Sequence, residues 1–172
     1  MSTITHLCDQ TSQRSSKTTC RVSKNKKFIS INSIRKDPDS DNYNHVIDIY
    51  DSSDLLFVNS INVTCCNLVL SDYKWSPDST MIVVLVDTDN VSGFSSSTGE
   101  TIFSLSYLHG SDYIDWLSND EIVLYGYGKH TTVQKLDSVD KYTCTKHWHN
   151  TISVVVSPHM DGKFAVLTDG SV

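Results

Sequence analysis

The chain has 172 residues, enough for one domain with a sizeable core, and its 38% hydrophobic and 9% aromatic content is that of an ordinary globular protein. The longest apolar stretch, Met81 to Val86, is six residues, far below the roughly 20 that span a bilayer as a helix. With no apolar signal region in the first 20 residues, neither membrane insertion nor secretion is expected, and the compartment read from the sequence is the cytoplasm or the nucleus. There the five cysteines, including the adjacent Cys65 and Cys66, are expected to be reduced thiols, and none is spaced as a C-x-x-C pair.

The formal charge of -6 is unevenly spread. Residues 1–36 carry eight basic side chains against Asp9 alone, whereas the rest of the chain carries six basic against 19 acidic. A basic arm of this kind suits nucleic acid or an acidic partner. Among residues 1–27 no aromatic residue interleaves with the basic ones to stack on bases, and the body is acidic, so nucleic acid is not the expected partner.

Residues 1–18 hold scattered Ser, Thr and Gln without periodicity and read as a disordered basic tail. From Thr19 onward, short runs rich in Val, Ile, Tyr, Phe and Thr alternate with turn residues, and no window of helical period is sustained. Strands are predicted at Phe28–Ile31, Val46–Tyr50 and Leu55–Val58, with the polar loop Arg35–Asn44 between the first two. A second unit follows with strands at Tyr73–Trp75, Met81–Val86, Val91–Phe94 and Thr101–Leu105. The third repeats it at Tyr113–Trp116, Ile122–Tyr125, Thr132–Leu136 and Tyr142–Thr145, and a fourth begins at Thr151.

These units are copies of one another. Asp72-Tyr73-Lys74-Trp75 before Met81–Val86 matches Asp112-Tyr113-Ile114-Asp115-Trp116 before Ile122–Leu124, with the two tryptophans 41 positions apart. Val154-Val155-Val156-Ser157-Pro158 before Phe164–Leu167 is a third copy. A unit this short cannot bury its own apolar face, so a fixed period implies stacking. The expected fold is all-β, built of four-stranded antiparallel propeller blades at about 20–64, 66–108, 110–149 and 151–172. Because Asp169-Gly170-Ser171-Val172 matches the turn at Asp89-Asn90-Val91, the last blade is expected to be cut short, leaving about three and a half blades, an incomplete ring and open strand edges for self-association.

Finer residues resemble the WD-repeat propeller family. The stretch Asp87 to Glu100 is similar to that family's turn, third strand and closing Thr-Gly-Glu turn. Tyr50-Asp51, Phe94-Ser95 and Leu136-Asp137 stand where the family's Trp-Asp dipeptide falls, and His109 and His149 precede Trp116 and Val156 by seven, like the histidine that opens each repeat. Trp75-Ser76-Pro77-Asp78 is also similar to TolB-like propellers and to those capping prolyl peptidases. The resemblance implies a noncatalytic scaffold that holds other proteins, with His109 and His149 as structural residues. The alternative it leaves is an accessory propeller of a hydrolase or peptidase, and a weaker one is a calcium- or nucleic-acid-binding domain.

Candidate chemistry is sparse. His147 and His149 lie at i and i+2, on one face of a strand and within metal-binding reach. The plainer expectation is a structural His149 and a solvated His147. Asp37, Asp39 and Asp41 have calcium-loop spacing, with Asp48 at the twelfth position. The loop lacks the glycine and the bidentate Glu, and Asp48 falls inside a strand. No nucleophile elbow or phosphate-binding loop occurs. Neither catalytic residues, metal ligands nor cofactors are therefore assigned from the sequence, and Trp75 and Trp116 are expected to pack in the core.

Overall fold

The computed structural model describes residues 19–36, 43–63, 70–106, 110–138, 141–157 and 163–168. Among these residues all regular structure is β, in three antiparallel sheets. The first has the order β1 (Thr19–Val22), β2 (Phe28–Lys36), β3 (Tyr43–Asp51) and β4 (Phe57–Val63). The second runs β5 (Leu70–Trp75), β6 (Met81–Val86), β7 (Asn90–Ser95) and β8 (Thr101–Ser106). The third runs β9 (Tyr113–Trp116), β10 (Glu121–Tyr125), β11 (Lys129–Ser138), β12 (Lys141–Val156) and β13 (Phe164–Thr168). No helix among the described residues is long and apolar enough to cross a membrane.

The sheets stack face to face through two cores. Ile47, Ile49 and Ile61 of the first sheet meet Tyr73, Trp75, Ile82 and Val84 of the second. Val83, Leu85, Phe103 and Leu105, on the opposite face of the second sheet, meet Ile114, Trp116, Ile122 and Leu124 of the third. The uninterrupted apolar run of β6 is thereby explained. A strand covered on both faces has no polar side to alternate with, and Ile82, Val83, Val84 and Leu85 are all completely buried. Each such side chain contributes about 1.5–3 kcal/mol of burial.

Glycine is needed at two close approaches. A Cβ on Gly93 would stand 2.2 Å from the Phe103 ring, which lies over it from the neighbouring strand. Gly99 has φ +73°, and a Cβ there would come within 2.7 Å of the Ser60 carbonyl on the first sheet. The Thr98-Gly99-Glu100 turn thus seats one sheet against the next.

Three expectations are corrected. The first unit has an additional strand, β1, in front of Phe28. The strand expected at Leu55–Val58 begins only at Phe57, because 51–56 form a turn in which Leu55 takes φ 61° and Asp51 and Asp54 accept backbone amides from Ser53 and Leu56. Finally, the gap expected between a strand at Tyr142–Thr145 and one beginning at Thr151 is absent. β12 runs unbroken through it, pairing with β11 up to Thr151 and with β13 from there. The segment contains neither glycine nor proline, so nothing in it stops a strand.

Candidate functional site

The first strands of the three sheets, β1, β5 and β9, are joined by charge. Arg21 of β1 pairs with Asp72 of β5 at 2.6 Å and lies over the Tyr73 ring, 4.8 Å from its centre. One repeat further, Lys74 of β5 pairs with Asp115 of β9 at 3.3 Å. Each carboxylate also accepts the amide of the residue that follows it, Tyr73 N at 2.9 Å for Asp72 and Trp116 N at 2.9 Å for Asp115. Burial pushes the Asp72 carboxyl above its ordinary range, although Arg21 and Lys74 pull the other way. Burial likewise raises the Tyr73 phenol to about 12. A cleft of about 290 Å³ opens along these strands, lined by Arg21, Val22, Lys24, Lys74, Trp75 and Asp115.

The tryptophans are structural. Trp75 and Trp116 are buried, and each indole N–H reaches back to the preceding sheet, Trp75 to Ser30 Oγ at 2.9 Å and Trp116 to the Lys74 carbonyl at 3.4 Å. Asp48 lies in β3, as expected, and its carboxylate accepts hydrogen bonds from Arg35 and Ser60. Both of its carboxylate oxygens are engaged within the first sheet. Asp37, Asp39, Asp41, Cys65, Cys66 and His109 lie outside the described residues.

A cluster of three histidines stands on the third sheet. His147 and His149 project from one face of β12, and His130 of β11 joins them across the ladder. The ring centres form a nearly equilateral triangle of 4.9, 4.6 and 4.7 Å. His130 Nδ1 and His147 Nε2 are 2.9 Å apart in a hydrogen bond, and one ring nitrogen from each of the three lies within 4.8 Å of the others. His149 is exposed, as is His147. Alternation turns the His149 side chain outward, against the His130 ring.

Sequence reasoning missed His130, which lies 17 positions from His147. The signal that finds it is the hairpin register, in which Thr132 faces His147 and Thr131 faces Trp148.

No family model and no curated protein matches the sequence. Solved structures do match. Hsv2 of Kluyveromyces lactis is 16% identical, with a TM-score of 0.56, over 76% of this chain and 46% of that one. The C-terminal WD40 domain of Sif2 is 15% identical, with a TM-score of 0.63, over 88% of this chain and 40% of that one. The Swd1 β-propeller domain of Myceliophteria thermophila is 10% identical, with a TM-score of 0.55, over 77% and 38%. The chain spans less than half the length of each of these structures. With its stacked antiparallel sheets and its tryptophans at matching positions, the chain has the fold of the WD40 β-propellers.

Proposed function

We propose that the chain is a noncatalytic scaffold that holds other proteins. The observation that carries this reading is a run of three consecutive exposed apolar residues, Leu56 (65% exposed), Phe57 (59%) and Val58 (41%), entering the strand β4, at the edge of its sheet among the described residues. Solvent exposure of three adjacent large apolar side chains costs solubility unless a partner covers them. Among the described residues β4 pairs on one side only, with β3, and its other side is the one a partner strand would extend. The cleft on the first strands supports the same reading, because Arg21, Lys74 and Asp115 are already paired between the sheets. Structural neighbours of the WD40 type are commonly interaction platforms, and fold alone does not decide the point.

The test is a binding measurement with purified partners recovered by cross-linking in the native extract. Phe57→Asp and Leu56→Asp are expected to weaken binding at least about tenfold, as loss of a hot-spot contact does, with unchanged thermal melting. Equal binding by wild type and both variants would refute the run as the interaction surface. Turnover of a small-molecule substrate by the purified chain would refute the noncatalytic assignment.

A further inference from the structure

We propose that His130, His147 and His149 form a binding site for a divalent transition metal of the zinc class, which clamps β11 to β12. Two of the ligands come from one strand by period-two alternation, since His147 and His149 share a face of β12. The third comes from the ladder. Lys129 faces Thr151 and Thr131 faces Trp148, so His130 falls opposite the bulged pair of residues at 149–150, next to both imidazoles.

The distances suit a metal after a small adjustment. Zinc–nitrogen bonds of about 2.0–2.1 Å in a tetrahedral site set the ligand nitrogens about 3.3 Å apart. The His130–His147 pair, at 2.9 Å, has to open by a few tenths of an ångström. None of the remaining separations exceeds 4.8 Å, so any excess over the tetrahedral spacing is at most about 1.5 Å. Rotation of His147 and His149 about their side-chain torsions accomplishes both adjustments, because both residues are exposed. The hydrogen bond between His130 and His147 is exchanged for two metal–nitrogen bonds, and the exposed side of the triangle gives the ion a route in.

Donor chemistry narrows the ion. Three imidazoles, with no carboxylate in the cluster among the described residues, favour zinc and its neighbours over calcium or magnesium, which take oxygen ligands. Three protein ligands leave a fourth position for water. The location also gives the ion a structural task. Register shifts interrupt the β11–β12 ladder between Lys129 and Thr131 and again between Val133 and Gln134, and a metal held from both strands bridges the first of these interruptions.

The experiment is a zinc titration by calorimetry on the whole chain, free of any polyhistidine tag and treated with chelator, accompanied by thermal melting with and without zinc. A single zinc per chain is expected, with magnesium giving no heat. His130→Ala and His149→Gln should each weaken zinc binding by at least the roughly 10- to 100-fold that loss of even an outer-sphere partner costs. Zinc should raise the melting temperature of the wild type and leave both variants unmoved. His149 is exposed, so the glutamine variant reports on the metal even if His130→Ala proves poorly folded. Zinc binding no tighter than that of magnesium would overturn the proposal, as would zinc affinity in His149→Gln equal to that of the wild type.

Discussion

Ser30 shows how a single small polar residue ties two sheets together. It is fully buried in β2, and its hydroxyl accepts the Trp75 indole N–H at 2.9 Å and lies 3.4 Å from the Tyr73 hydroxyl. Tyr73 in turn donates to the Thr19 carbonyl at 3.0 Å. A buried hydrogen-bond donor is inexpensive while it has its partner and costly once the partner is removed. Ser30→Ala is therefore expected to cost about 1–3 kcal/mol, because it removes the acceptor of the buried Trp75 N–H. Urea denaturation monitored by tryptophan fluorescence measures this. A loss below about 0.5 kcal/mol, the low end for an intramolecular hydrogen bond, would show that Trp75 finds another acceptor.

At the scale of the strand, β1, β5 and β9 repeat one device, a cation on one first strand reaching a carboxylate on the next. Asp72 carries the larger burden because it is buried, and burial holds its carboxyl above 3.8 despite Arg21 and Lys74. The sign follows from proton linkage. Just above pH 3.8 the unfolded chain has released this proton while the folded chain keeps it, so this group's contribution to stability falls as pH rises through that window. Asp72→Asn is expected to remove that component. Urea midpoints of wild type and variant, compared from pH 4 upward, should differ in slope across the window. Parallel curves would mean that Arg21 fully offsets the burial.

The same strands explain what was legible in the sequence. β5, β6, β9 and β10 could be read because a tryptophan and an apolar run recur at a fixed period. β1 could not, because Thr19-Cys20-Arg21-Val22 is only four residues long, too short for its alternation to stand out from the polar stretch around it. Its central side chain is held by an ion pair with Asp72, 51 positions away. The start of β4 was misplaced because Leu55 looks like a strand residue and yet sits at positive φ in a turn. The histidine cluster was half visible. The i, i+2 pair is a local pattern, whereas His130 is brought in by a bulged register that no local signal encodes.

On the scale of the whole molecule, the second sheet is the structural centre, since it alone among the described residues is packed on both faces by other sheets. The third sheet has a smaller cluster on its far face, Leu117, Val123 and Val133 with Trp148, Val154 and Phe164 against them. Val155 and Leu167, on β12 and β13, remain 65% and 59% exposed. Local opening free energies follow such differences in burial. Amides of β6 lie between two strands and beneath two cores, so their exchange with solvent requires loss of both interfaces at once. Those of β13 require only separation from β12. Native-state hydrogen exchange is expected to place β6 at the global unfolding free energy and β13 well below it. Val84→Ala, which should cost about 0.8 kcal/mol for each buried carbon removed plus the cavity it leaves, should lower protection throughout β6 and leave β13 unchanged. Uniform protection across all three sheets would show that they unfold as one unit, and equal exchange of β6 and β13 in the wild type would remove the second sheet from the centre of the fold.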